Sequence, residues 1–364
     1  MKSRLTKYGE TKLDEVHHTF PLKLPPKLVL VTDLDFTLFG ISPNETLEQA
    51  QSYLREFNKL WCSKYAPNNC VLIYATGRSL PKYETALNEY TELLKPDILI
   101  CKDGVDIHWF NKHLAQLVQA QSTRQIDLDF DDEMEHHEFE WFDRSWEATL
   151  KQGWDQEFAE SLHHEWKKTH KMPELPPGSN YLEQFRVAVM TFSMEEAMEA
   201  KDFFIKRVEE YNRQIETELS FEKKKRKKYA MNPSERKNSK KHRMEIHAFY
   251  CIERSTSHWW AALCPARAGK GCAVDWVRQR LHCETGENFI VCGDSGNDIS
   301  MLSLPKYHAV IVKNCSRELQ DYYEAHGELK GKYIYLANKN ITCGVMEGLE
   351  YFSTRISQDW GIDQ

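Results

Sequence analysis

The sequence predicts an α/β protein: a parallel, doubly wound sheet assembled from both ends of the chain, with an α+β domain inserted between them. Three observations predict it. Short, continuous apolar runs such as LVLV and FIVC alternate with stretches of helical periodicity, the habit of strands buried on both faces of a parallel sheet. That alternation stops after the third run and resumes beyond Gly269. The length of 364 residues exceeds what one core normally holds, so two or three domains are expected.

Each element follows from local pattern. Residues 1–26 are polar and then proline-flanked, and read as a tail; LVLVT after them is the first strand. Residues 45–65 place apolar positions at helical spacing, CVLIYATGR is a second buried strand, residues 80–94 are helical, and PDILICKDG is a third strand. The inserted part holds an acidic, His- and Trp-rich helical section (127–170), a Pro/Gly break (173–180), the alternating strand FRVAVMTF, a helix over 194–213, a basic run, and the short strands HAFYCIE and HWWAALCP. A helix through AVDWVRQRLHCET, the strand NFIVCGD, a helix start at 297–303, the strand HAVIV and a closing helix over 344–356 complete the core. The expected bounds are a core from 27–110 and 265–364 and an insert over 111–264, with a basic flexible loop at about 213–246.

Composition narrows the function classes. An apolar fraction of 41% supports a packed core, and no apolar run approaches the ~20 residues of a membrane span. Residues 1–15 lack an apolar stretch, so no secretory leader is expected. Ten cysteines without CxxC spacing read as reduced, buried thiols in a cytoplasmic protein. The net charge of −7 hides a basic segment, 222–243, with eleven Lys/Arg against Glu222 and Glu235, while nine acids crowd 127–143. A globally basic nucleic-acid binder is therefore not expected.

The chemistry gathers at strand ends, where ligands bind in parallel sheets. The first strand ends in Asp33-Leu34-Asp35-Phe36-Thr37, the second in Thr76-Gly77-Arg78, and NFIVC in Gly293-Asp294-Ser295-Gly296-Asn297-Asp298, with Lys270 opening the helix before that strand. A bare acid pair one residue apart also suits a turn or helix cap. The set as a whole suits phosphoryl chemistry: few, hard oxygen ligands fit Mg²⁺, a carboxylate can attack phosphorus, and a lysine offsets the charge.

These four motifs, DLDFT, ATGR, Lys270 and GDSGND, resemble in order those of the haloacid dehalogenase superfamily of phosphohydrolases. The resemblance covers roughly 27–110 and 264–350 and implies a Rossmann-like core with an inserted α+β cap of the large type, C2. VTDLDFTL, ATGRSLPKY, PDILICKDGVDI, CPARAGKGCAVDWV and VCGDSGNDISML look more narrowly like the sucrose-6-phosphate phosphatase-like subfamily. By position the resemblance implies Asp33 as nucleophile and Asp35 as general acid/base. It implies Thr76, Gly77, Lys270 and Asn297 at the phosphate, and Asp33, Asp35 (through its carbonyl), Asp294 and Asp298 at the metal, with Asp298 also holding Lys270. Arg78 and Arg186 are expected to contact substrate. The chain departs from the family at Gly104-Val105-Asp106, where a Gly-Thr-Glu turn is usual and a hydroxyl is lost.

The remaining features have plainer readings. His136-His137 and His163-His164 are expected on a solvated acidic helix face, since adjacent positions point apart. Trp141, Trp146, Trp154 and Trp166 are expected in the core, with one or two free to stack on a sugar. The basic run is expected to be a solvated loop, with docking on the acidic segment or an anionic partner as the alternative. The function expected is Mg²⁺-dependent hydrolysis of a sugar phosphate, sucrose 6-phosphate first, through an aspartyl-phosphate. Another sugar phosphate, or a silent accessory protein associated with a glycosyltransferase, stands as the alternative.

Overall fold

The computed structural model describes residues 17–120, 140–175, 180–228, 243–253 and 257–360. The chain divides into two compact units, one of Met1–Trp146 with Gly269–Gln364 and one of Glu147–Ala268. The first unit opens with strands β1 (Leu28–Thr32), β2 (Cys70–Ala75), β3 (Ile98–Cys101), β4 (Asp106–Trp109) and β5 (Trp141–Phe142). The second contributes β6 (Leu182–Glu183), β7 (Arg186–Thr191), β8 (Ile246–Glu253) and β9 (His258–Pro265). The chain returns to the first unit with β10 (Phe289–Gly293), β11 (His308–Ile311) and β12 (Ile334–Leu336).

The first unit is one eight-stranded sheet in the order β12-β11-β10-β1-β2-β3-β4-β5, parallel from β12 to β3 and antiparallel at β4 and β5. Every residue of β1, β2, β3 and β10 is buried, as the uninterrupted apolar runs require. The helix Leu47–Leu60 starts on a capping box between Thr46 and Gln49 and buries Ala50, Leu54 and Phe57, a one-face spacing. Together with Trp61, Tyr65, Val345, Leu349 and Phe352 these side chains cover one face of the sheet.

The unit boundary lies beyond the expected 110/111. β4 pairs with β3 and β5 with β4, so the chain stays with the core sheet through Trp146 before it leaves. The chain before β1 is tied down from His17 onward. His17 Nδ1 accepts from the Trp61 indole at 3.2 Å, so its proton sits on Nε2, 3.3 Å from Asp97 Oδ2. Burial pushes the Asp97 carboxyl up, but His17, His18 and the Leu72 amide outweigh it and hold its pKa below the ordinary value. His17, His18 and Asp97 are clustered as metal ligands would be, yet the occupied Nδ1 turns a proton, not a lone pair, toward Asp97.

The second unit is a four-stranded antiparallel sheet, β6-β7-β9-β8, packed on the helices Gln156–Thr169 and Met194–Lys228. Val187 and Val189 of β7 and Ala261 and Leu263 of β9 meet Leu162, Trp166, Ala200 and Phe204. Two expectations are corrected here. The helix expected to stop at 213 runs to Lys228, so 213–228 is not loop. Ile215 is its last buried side chain among the described residues, so apolar periodicity ends there, but Glu, Leu, Lys and Arg carry the helix on by intrinsic propensity. Residues 229–242 of the basic segment lie outside the described residues. His163 is not on a solvated face: with Ala159, Leu162 and Trp166 it forms the buried stripe, and its Nδ1 lies 2.8 Å from the Ala188 carbonyl. His136, His137 and the acidic positions 127–139 lie outside the described residues.

Trp141, Trp146 and Trp166 are buried and Trp154 is half-buried. All ten cysteines are unbridged; six are buried, whereas Cys272 is exposed. Among the described residues no helix is long and apolar enough to cross a membrane.

Candidate active site

Register brings the acids together. Thr32 of β1 stands opposite Cys292 of β10, so Asp33 and Asp294, each one or two residues further, leave adjacent parallel strands at the same level. The Asp33 amide still donates to the Cys292 carbonyl, at 3.0 Å, which keeps Asp33 in line with the sheet. The chain then turns sharply. Leu38 and Phe39 donate to the Leu34 carbonyl, and Phe36 takes a left-handed φ of 60°. That turn carries Thr37 back, its hydroxyl 3.1 Å from Asp33 Oδ2 and 3.2 Å from Asp294 Oδ1.

Lys270 and Asp298 close the cluster from the other side. Lys270 Nζ lies 2.6 Å from Asp33 Oδ1 and 2.7 Å from Asp298 Oδ1. Asp298 Oδ2 accepts from the amides of Asp294 and Ser295 at 2.9 and 3.1 Å, so both of its oxygens are committed. Gly293 permits this approach: a Cβ there would lie 2.5 Å from the Asp298 Cβ. Burial pushes the Asp33 carboxyl well above its ordinary range; Lys270 opposes the shift, and Asp298 and Asp294 add to it. Burial alone would depress the Lys270 ammonium, but Asp298 and Asp33 outweigh that and raise its pKa.

Asp33, Asp294 and Asp298 offer oxygen atoms all within 4.8 Å of one another, and all three are buried. This donor set, three carboxylates and no soft ligand, fits a hard divalent cation. Asp35 stands apart from the three. Its carboxylate is held by Arg78, Nε at 2.8 Å and Nη2 at 2.6 Å, so the contribution of Asp35 to a metal would come from its backbone.

The other expected residues are distributed as follows. Thr76 follows β2 and is fully buried, and its Oγ1 accepts from the Arg78 amide at 3.1 Å. Gly77 packs against the carboxylate of Asp103. Asn297 Nδ2 donates to Asp103 Oδ1 at 3.0 Å, and its Oδ1 accepts from the Ser295 hydroxyl. Arg186 lies in the second unit, paired with Glu183 at 2.7 Å.

Two site residues were not singled out from sequence. Thr37 stands inside DLDFT, four positions from Asp33, where a single helical or turn-like reversal returns it. Asp103 lies two residues beyond the end of β3 and is buried, with a left-handed φ of 56°. The strand-end rule that selected Asp33 and Thr76 applies equally to it. The departure at Gly104 has a structural counterpart. Gly104, at φ 97°, abuts the Gly269 backbone so closely that a Cβ would lie 2.3 Å from the Gly269 oxygen. The indole of Trp146 donates to the Gly104 and Val105 carbonyls.

The sequence matches the sucrose-6F-phosphate phosphohydrolase family over residues 26–143 and 209–353. It is 24% identical over 329 residues to sucrose-phosphatase 1 of Nicotiana tabacum, covering 90% of this chain and 59% of that protein. It is 25% identical over 334 residues to probable sucrose-phosphatase 3a of Arabidopsis thaliana, covering 91% and 61%. The chain thus spans about three-fifths of the length of the curated relatives it matches. The solved sucrose-phosphatase of Synechocystis sp. PCC6803, in complex with sucrose and phosphate, superposes with a TM-score of 0.58 at 19% identity. That match covers 90% of this chain and 98% of that one, and shows a common fold.

Proposed function

Because the chain belongs to the sucrose-6F-phosphate phosphohydrolase family, we propose that it hydrolyses a sugar phosphate, sucrose 6-phosphate first, in a reaction that depends on Mg²⁺. The observation that carries this reading is the buried cluster at the strand ends: Asp33, Asp294 and Asp298 within 4.8 Å, with Lys270 bridging Asp33 and Asp298.

Asp33 is the nucleophile. Its oxygen attacks phosphorus, the bond from phosphorus to the sugar oxygen breaks, and that oxygen takes a proton from Asp35 to leave as an alcohol. Asp35, now a carboxylate, accepts a proton from water while the water oxygen attacks phosphorus. Asp33 is released, inorganic phosphate departs, and Asp35 is protonated again. Lys270 offsets negative charge on the transferring group and keeps Asp33 aimed. Thr76, whose oxygen accepts from the Arg78 amide, has its O–H left to donate to a phosphoryl oxygen, and the Gly77 backbone lies beside it. Asn297 is braced by Asp103 and Ser295. Asp33, Asp294 and the Asp35 carbonyl would hold Mg²⁺, which supplies charge neutralisation for the phosphoryl group; Asp298 orients the set. Arg186 is a candidate sugar contact of the second unit.

The test is phosphate release from a panel of sugar phosphates, with Mg²⁺ and with EDTA. Release that needs the metal, favours a disaccharide phosphate and vanishes in a folded Asp33→Asn variant is expected. Full activity in EDTA, or an active Asn variant, overturns the reading.

A further inference from the structure

Arg78 was expected to touch substrate, yet all three nitrogens of its guanidinium donate within the protein. Nε and Nη2 form a side-on fork on the two oxygens of Asp35, at 2.8 and 2.6 Å. The fork is mounted at several points. Nη1 donates to the Lys82 carbonyl at 3.2 Å, the Arg78 amide to Thr76 Oγ1 at 3.1 Å, and the Arg78 carbonyl accepts from Lys102 at 2.9 Å. The cation lies over the Phe39 ring, 5.3 Å from its centroid. Asp35 has far less to fix it. Its side chain is 40% exposed and leaves the chain immediately before the left-handed Phe36. A short carboxylate in that position has several staggered rotamers open to it unless a partner selects one. A planar fork selects both the rotamer and the carboxylate plane, which a lysine cannot do.

We infer that Arg78 is the positioning residue for Asp35: the fork fixes which way the acid/base carboxylate faces the leaving oxygen. The inference rests on Asp35 exchanging the proton with the leaving group, and it replaces the expected substrate contact of Arg78 with a role exerted through Asp35. A misplacement of about 1 Å in such a group can cost about 10²-fold in rate.

The experiment compares kcat and KM for sucrose 6-phosphate, whose alkoxide must be protonated, with those for p-nitrophenyl phosphate, whose leaving group needs little help. The proteins are the wild type, Arg78→Ala, Arg78→Lys, Asp35→Asn and the double variant Asp35→Asn/Arg78→Ala, each checked for an unchanged melting profile. For Arg78→Ala, kcat on the sugar phosphate should fall about ten- to a hundredfold with KM within about threefold of wild type, and the loss on the aryl ester should be at least about tenfold smaller. Arg78→Lys should restore little, added guanidinium should partly rescue Arg78→Ala, and the double variant should lose no more than Asp35→Asn alone. A raised KM with kcat retained would make Arg78 a substrate contact and overturn the inference, as would losses that multiply in the double variant. Should Arg78→Ala unfold, Arg78→Lys decides by the same split between KM and kcat. A wild type that releases no phosphate from either ester overturns the functional reading itself; a wild type that turns over, with variants lacking the expected split, overturns only the role of Arg78.

Discussion

Replacing Lys270 by Met tests the electrostatics of the cluster without opening a cavity, since the two side chains are nearly the same length. The change removes an ammonium that lies 2.6 Å from Asp33 and 2.7 Å from Asp298, with all three side chains at most 6% exposed. It leaves Asp33, Asp294 and Asp298 together within 4.8 Å. Removing one partner of a buried ion pair costs about 3–5 kcal/mol, because the remaining charge stays buried and uncompensated. At about 2–4 °C per kcal/mol for a unit of this size, the transition of the first unit should fall by about 6–20 °C. The measurement is calorimetry in EDTA, which keeps a bound cation from standing in for the lysine.

The deficit should also depend on pH with a definite sign. The Asp33 pKa is raised above its ordinary 3.8, so Asp33 favours the fold while protonated and that contribution is lost as pH rises through the folded-state value. Lys270 lowers the Asp33 pKa, so its removal raises it further. The Met variant therefore falls behind wild type most at neutral pH, and the gap narrows toward acid. A melting profile equal to wild type, or a deficit constant with pH, would refute the proposed coupling.

The remaining predictions address neighbouring parts of the same reasoning. Asp33→Asn should melt at or above wild type at neutral pH while losing turnover, because burial together with Asp298, Asp294 and Asp35 disfavours the carboxylate by more than Lys270, which keeps Asp298 as a partner, offsets; calorimetry beside a phosphate-release assay reads both. Gly293→Ala would bring a Cβ within 2.5 Å of the Asp298 Cβ and 2.8 Å of its Oδ2. It should cost about 1–3 kcal/mol and lower kcat by displacing Asp298 from Lys270, which melting and steady-state kinetics check. Asp294→Asn should raise the Mg²⁺ concentration needed for half-maximal activity, read by metal titration at fixed substrate. Asp97→Asn should destabilise at pH 7. Because the Asp97 pKa is depressed, its contribution is present above the ordinary 3.8 and lost as pH falls through the folded-state value, so the gap to wild type should close in acid.

What could be read from the chain alone follows a physical division. β1, β2, β3 and β10 are buried on both faces and therefore uninterrupted in sequence, so their ends could be located, and with them Asp33, Thr76 and Asp294. β5 is two residues long and joins the sheet only by pairing with β4, which no local pattern announces. The extension of the 194–228 helix was missed because periodicity reports burial, whereas beyond Ile215 the helix continues on residues of high intrinsic propensity. His163 was misplaced for the converse reason: the adjacent pair drew attention, while the i, i+3, i+4, i+7 stripe of Ala159, Leu162, His163 and Trp166 decides its environment.

The residues of the candidate site divide in the same way. Position at a strand end places Arg78 beside the candidate site, but its partner depends on the path of a different segment. Asp35 meets the fork across 43 positions of sequence, through a turn that requires a left-handed φ at Phe36, a phenylalanine, where glycine would signal such a turn. A residue type that favours the left-handed region marks a turn in advance; a bulky residue there does not. The neighbours of that turn then supply what the sequence withholds: the Leu34 carbonyl accepts from Leu38 and Phe39, and Asn314 donates to the Phe36 carbonyl at 2.7 Å. The strained residue is thus held by contacts from both ends of the core, and the same contacts determine that Arg78 meets a carboxylate.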